Sequence, residues 1–222
     1  MMQSRQNVLE QVRVACELAK RPTTDVELLA VSKKQSSDVV RAMFETGQHS
    51  FGENYLQEAL GKINDLSDLN ITWHFIGHVQ RNKTKQIAEN FAWVHGVDRF
   101  IIAQRLSNQR PEHLPRLNIC IQVNIDHQDS KDGCLPNEVA DLVKQISVLP
   151  QICLRGLMVI PAPNNTQAFT QAKQLFDTAR TSHANPQDWD TLSMGMSGDL
   201  SEAIGAGSTM VRVGTALFGA RL

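Results

Sequence analysis

The sequence predicts a single (β/α)8 barrel spanning residues 1–222, an α/β fold preceded by one extra helix, and three observations carry that prediction. Apolar strand-like runs recur eight times, and a helical segment lies between each consecutive pair. The first run, Leu28-Leu29-Ala30-Val31, is continuously apolar, as strands buried on both faces of a parallel sheet are. The 222 residues also suit a barrel without insertions, which takes about 200 residues or more.

The elements follow in order. Leu9, Val12, Cys16 and Ala19 recur at spacings of three and four, so the chain opens with a helix over 4–20 that Arg21-Pro22 ends. The first strand follows and finishes at Lys33. Ser36-Ser37-Asp38 offers N-cap oxygens to a helix carrying Val39, Val40, Met43 and Phe44, and Gly47 stops it. A short strand over 49–51 leads to a helix with Leu56, Leu60 and Ile63. The third unit pairs a strand over 71–76 with a polar helix over 80–89, and the fourth pairs 92–97 with a helix through Phe100, Ile101 and Leu106.

In the fifth strand Leu117, Ile119, Ile121 and Val123 alternate with Asn118, Cys120, Gln122 and Asn124. If the apolar face meets the helices, the amides point into the barrel. A polar loop over 126–133 precedes a helix with Val139, Leu142, Val143 and Ile146. The sixth strand covers 152–160 and stops at Pro161; its helix carries Phe169, Ala172, Phe176 and Ala179. Residues 191–194 and 209–213 make the last two strands, with a short helix over 199–204 between them. No linker, low-complexity stretch or repeat divides the chain.

Composition narrows the function. The formal net charge is -1 with no block of like charges, so nothing suggests a nucleic-acid-binding face or a polybasic membrane patch. No apolar run approaches the roughly 18 residues of a membrane span, and the N-terminus lacks a signal core. Cys16, Cys120, Cys134 and Cys153 form no CxxC pair, which favours reduced thiols and a cytoplasmic location.

Three features would meet at one rim of the barrel. Lys33 sits at the C-terminal end of the first strand, where parallel α/β architectures bind ligands; a strand-end lysine is otherwise an ordinary solvated side chain. Partial burial beside Val31 would disfavour its ammonium and favour a reactive amine. The turns Gly195-Met196-Ser197-Gly198 and Gly214-Thr215-Ala216 follow strands seven and eight. Barrels often hold a phosphate there, on backbone amides and a helix start, with Ser197 and Thr215 adding hydroxyls. Arg212 interrupts the apolar run Met210-Val211-Arg212-Val213 and requires acceptors, from a structural salt bridge or from a ligand's ring nitrogen. Amine, phosphate cradle and arginine together describe pyridoxal 5'-phosphate (PLP).

The motifs Ala30-Val31-Ser32-Lys33, Phe51-Gly52-Glu53-Asn54, His74-Phe75-Ile76-Gly77 with Gln80-x-Asn82-Lys83, Gly156-Leu157-Met158, Ser193-Met194-Gly195-Met196-Ser197 and residues 207–215 resemble the pyridoxal phosphate homeostasis protein family. The resemblance runs from about residue 28 to 221. It implies a TIM barrel similar to the N-terminal domain of alanine racemase, which binds PLP, has no established catalysis, and acts in vitamin B6 and amino-acid homeostasis. Carried over by motif, Lys33 forms the Schiff base, Ser197, Gly214 and Thr215 hold the phosphate, and Arg212 faces the pyridine nitrogen. Asn54 lies near the cofactor, Met158 and Ile160 supply apolar walls, and Lys131 of Ser130-Lys131-Asp132-Gly133 is an auxiliary contact from a mobile loop. Many members read Ser-Lys-x-Lys-Pro where this chain reads Ser32-Lys33-Lys34-Gln35-Ser36, so no role passes to Lys34. The partners implied are PLP, apo PLP-dependent enzymes and free amino acids, for a monomer that contacts neither nucleic acid nor membrane.

Two enzyme readings compete. A PLP-dependent racemase needs an acid/base on each face of its substrate, and the chain has one tyrosine, Tyr55, and no residues left for a second domain. A Schiff-base aldolase would also use a lysine and a phosphate site, although its lysine need not lie on strand one. A metal held by His74 and His78 is disfavoured, because Gly77 separates a strand histidine from the next segment and no metal is expected.

Overall fold

The computed structural model describes residues 1–128, 131–163 and 165–219; Ser130 of the loop motif and Arg221 at the end of the resemblance lie outside them. Eight parallel strands close on themselves in sequence order: β1 (Glu27–Val31), β2 (Ser50–Glu53), β3 (Thr72–Phe75), β4 (Trp93–Val97), β5 (Leu117–Val123), β6 (Ile152–Val159), β7 (Thr191–Ser193) and β8 (Met210–Val213). The helices are α1 (Met2–Leu18), α2 (Ser37–Phe44), α3 (Leu56–Asp65), α4 (Thr84–Asn90), α5 (Phe100–Gln109), α6 (Val139–Ile146), α7 (Gln167–Ala179), α8 (Leu200–Gly205) and α9 (Thr215–Phe218). The expected (β/α)8 barrel with a leading helix is therefore the fold. β8 closes the ring on β1 with Leu29 opposite Arg212 and Ala30 opposite Val213, which sets Lys33 and the β8 turn at the same end.

The apolar stripe of α1 differs from the expected one. Val8, Val12, Ala15 and Cys16 are buried, whereas Leu9 faces outward, because helix periodicity fits Val8 better once the axis is set by packing on α8 and α9. The second strand starts and ends later than expected, at Ser50–Glu53, because its partners are Thr72 to Phe75 of β3. The polar helix over 80–89 divides into a 3-10 turn, Arg81–Lys83, and α4. Helix α2 starts as the sequence indicates: Ser36 is its N-cap and its side chain accepts the Val39 amide at 3.3 Å. Ser36→Ala is expected to lose about 1 kcal/mol of stability, read from the urea midpoint.

The main core lies between strands and helices. Leu117, Ile119, Ile121 and Val123 of β5 belong to it, and the alternate residues turn inward as expected. Asn118 accepts from Arg155 of β6, Cys120 packs with Trp93 and Met158, and the Gln122 amide donates to the Asp132 carbonyl. The four cysteines are unbridged. Among the described residues no helix is long and apolar enough to cross a membrane.

Candidate functional site

The C-terminal ends of six strands surround a cavity of about 270 Å³. Lys33 enters it two residues beyond β1, with Val31 beneath; Asn54 and Ile76 follow β2 and β3, and Ile160 follows β6. Opposite them stand Met196, Ser197 and Gly198 after β7, Arg212 on β8, and Gly214 with Thr215 just past it. Of the residues expected at a site, Lys33, Asn54, Ile160, Ser197, Arg212, Gly214 and Thr215 thus share one cavity.

Met158 and Lys131 stand apart from its lining. Met158 is buried deeper in the barrel against Trp93 and Cys120, because inward-facing residues of one strand stack in successive layers and Ile160 occupies the upper one. Lys131 pairs with the half-buried Asp126 at 3.3 Å and donates to the Ile160 carbonyl at 2.9 Å, so it touches the backbone of a lining residue.

The sharp turns are set by glycine. At Gly195, φ is +92° and a Cβ would stand 2.5 Å from that of Ala203, so only glycine lets the chain leave β7 and turn across α8. A Cβ on Gly77 would lie 2.3 Å from the Asn54 carbonyl, which fixes how closely the β2 and β3 loops approach. Among the described residues Ser197 and Gly198 donate their amides to no protein acceptor, and Gly198 has open space around it. The Asn54 Oδ1 atom is buried with no partner among them.

Arg212 is buried and has no carboxylate within ion-pairing distance among the described residues, so a structural salt bridge does not account for it. Its Nη1 donates to Ser193 Oγ and its Nη2 to the Val159 carbonyl, both at 2.9 Å. A guanidinium has five N–H donors, so most of its capacity remains for an acceptor in the cavity. Burial lowers its pKa to about 10, which still leaves it charged at neutral pH.

Lys33 is held by what lies beside it. Ser32 is fully buried and its hydroxyl donates to Glu53 Oε1 at 2.6 Å. The ammonium of Lys62, on the inner face of α3, binds the Ser32 carbonyl at 2.7 Å, Glu53 at 2.8 Å and Glu58 at 2.6 Å. Glu58 also accepts the Lys34 amide, and Lys34 adopts a left-handed φ of +64° that turns the chain away. Both flanks of Lys33 are therefore anchored to a buried ion cluster, whereas Lys34 is exposed. Burial pushes the Glu53 carboxyl up, and Lys62 and Ser32 oppose that.

Glu58 and Lys62 of this cluster lie outside the motifs that point to the site. The available signals were Glu53 at the end of an apolar strand and Lys62 in register with Leu56 and Ala59, the buried residues of α3. His74 and His78 do not converge: His74 is buried on β3 against His95, and His78 is exposed beside Asp132. No group of three or more potential ligands is placed to hold a metal among the described residues.

A cavity of about 370 Å³ opens at the opposite end of the barrel, near Trp93, Arg155 and Asp190. There Arg155 forks onto Asp190 and covers the Trp93 ring at 5.0 Å, while Arg21 donates to the Ile204 and Ser208 carbonyls. That end of a barrel serves stability.

The family description "Alanine racemase, N-terminal domain" matches residues 4–222. The pyridoxal phosphate homeostasis protein of Pseudomonas aeruginosa is 50% identical over 219 residues, covering 96% of this chain and 93% of that protein. The protein of the same name from Pasteurella multocida is 49% identical over 221 residues, with 96% and 94% covered. Among solved structures, PipY of Synechococcus elongatus with PLP bound is 36% identical, with a TM-score of 0.75 over 94% of this chain and 99% of that one. With full-length similarity at this level joined to an amine and a buried arginine in one barrel-rim cavity, the chain belongs to the pyridoxal phosphate homeostasis protein family, on the alanine racemase N-terminal fold.

Proposed function

We propose that this protein binds PLP covalently through Lys33 and serves vitamin B6 and amino-acid homeostasis as a holder of the cofactor, without turnover of its own. One observation carries the reading: a single cavity brings together the Lys33 amine, the Arg212 donors and both glycine-rich turns. PLP bound there supplies an aldehyde carbon, which a primary amine attacks with loss of water. Ser197, Gly198, Gly214 and Thr215 suit the phosphate, since small residues let amides and hydroxyls converge on an anion. Arg212 offers its remaining N–H groups to the ring nitrogen, and Val31, Ile76 and Ile160 give the ring apolar contact. Asn54 adds an amide carbonyl to the same wall. Lys131 acts through the Ile160 backbone, and Met158 supports the floor from below.

An incoming primary amine, on a free amino acid or an apo-enzyme lysine, takes the place of the Lys33 amine and carries the cofactor away. Release to such partners fits a monomer in the cytoplasm with this rim facing solvent. A racemase is the rival, and it requires a second acid/base on the opposite ring face. Tyr55 lines the neighbouring cavity with Gln57 and Lys83, outside the one that holds Lys33.

Borohydride reduction of the loaded protein followed by peptide mapping is expected to place the adduct on Lys33, with none on Lys33→Ala. An adduct on another lysine of the wild-type protein would overturn the assignment. Incubation with single amino acids in deuterated water separates holder from enzyme: exchange at the α-carbon at a catalytic rate would defeat the non-catalytic reading.

A further inference from the structure

A line of hydrogen bonds crosses the barrel below the cavity. Arg212 Nη1 donates to Ser193 Oγ at 2.9 Å, Ser193 Oγ lies 3.2 Å from His95 Nδ1, and His95 Nε2 lies 3.1 Å from His74 Nδ1. His74 stacks on Trp93 with ring centroids 5.3 Å apart. The line joins β8, β7, β4 and β3; β4 and β7 are not neighbours in the sheet, so this bond runs through the barrel interior. His74, His95 and Ser193 are fully buried.

The protonation of the line follows from its charged end. A guanidinium only donates, so Ser193 Oγ accepts from Arg212. The Ser193 hydroxyl proton then has one acceptor on the line, His95 Nδ1. His95 must carry its proton on Nε2 and donate it to His74 Nδ1, and His74 must carry its own on Nε2. That last atom is buried without a partner among the described residues, where the line ends. Each dipole turns its negative end toward Arg212, and burial keeps both imidazoles uncharged.

We propose that His74, His95 and Ser193 are positioning residues: a one-way chain of neutral hydrogen bonds that stabilises and aims the Arg212 guanidinium in place of a carboxylate. A carboxylate would cancel the charge of Arg212, whereas aligned neutral dipoles hold the cation and leave its charge undiminished toward the cavity. A basic ring nitrogen placed against that charge stays unprotonated and withdraws fewer electrons from the rest of the ring, which suits holding a cofactor over carbanion chemistry. This consequence rests on the PLP reading; the direction of the chain does not.

Histidine nitrogen–proton correlation spectra of the ligand-free protein at neutral pH test the direction. His74 and His95 are both expected as the Nε2–H form, and an Nδ1–H form of either overturns the proposal. His95→Leu removes the acceptor for Ser193 at similar size. It is expected to bind PLP about tenfold more weakly and to shift the absorbance band of the bound cofactor, with Tm unchanged or higher. His95→Asn places an acceptor near the Nδ1 position and should recover binding to within about threefold of wild type. Wild-type affinity and spectrum in His95→Leu, or equal loss in both variants, would overturn the positioning role. If His95→Leu does not fold, the tautomers alone decide. Failure of the wild-type protein to take up PLP would defeat the proposed function while the spectra still report the chain.

Discussion

Lys62→Met should destabilise the protein by about 3–5 kcal/mol, the cost of leaving a buried carboxylate without its cation. Glu53 is fully buried on β2, its Oε2 has no partner among the described residues, and Lys62 is its cationic partner at 2.8 Å. The loss is read from urea unfolding at pH 7. Glu53→Gln with Lys62→Met should recover part of it, because the buried charge is then gone. A double-mutant cycle is expected to show coupling of at least about 1 kcal/mol, and additive effects would mean that the two groups do not act as a pair. Because the same ammonium binds the Ser32 carbonyl, Lys62→Met should also speed amide hydrogen exchange at Ser32 and Lys34, on either side of Lys33.

Stability should fall steeply below pH 6.5, and the two barrel histidines account for most of the slope. Burial lowers the His74 pKa to about 3 and holds His95 well below its ordinary value of 6.5. Between those limits the unfolded chain takes up a proton at each histidine and the folded chain does not. Unfolding is therefore favoured as pH drops, and the stability present above pH 6.5 is lost on the way toward pH 3. His74 alone costs roughly 2–3 kcal/mol between pH 6.5 and 4.5, at about 1.4 kcal/mol per pH unit, and His95 adds to the loss in the same direction. Glu53, whose pKa is raised, works in the opposite direction because the folded state takes up its proton more readily. His74→Gln isolates the effect: the slope of unfolding free energy against pH should fall by about one proton relative to wild type. An unchanged slope would mean that His74 is charged in the folded state.

Much of this protein was legible in its residues. Eight apolar runs alternating with helical segments specify the barrel, because strand and helix periods differ and each run carries its own. Lys33, Arg212 and the turns at Ser197 and Gly214 stood out because an amine, a guanidinium and small residues lie at the ends of strands seven, eight and one, where barrel geometry brings loops together. The alternation of β5 indicated that its amides face inward, since the side-chain period of a strand is two.

Tertiary structure alone decided what surrounds those groups. Register with Leu56 and Ala59 hints that Lys62 faces inward, but only the fold pairs it with Glu53, because that contact joins β2 to the inner face of α3. His95 and Ser193 lie 98 positions apart and meet only because barrel closure carries β4 and β7 to opposite walls of one interior. Val8 takes the place of Leu9 in the stripe of α1 for the same reason: a helix's apolar face is chosen by what it packs against, and α8 and α9 lie at the far end of the chain. Periodicity determines which elements form and near which end their functional groups emerge. Contacts between distant elements determine which of the buried polar groups are paired, which are charged and which way their protons point.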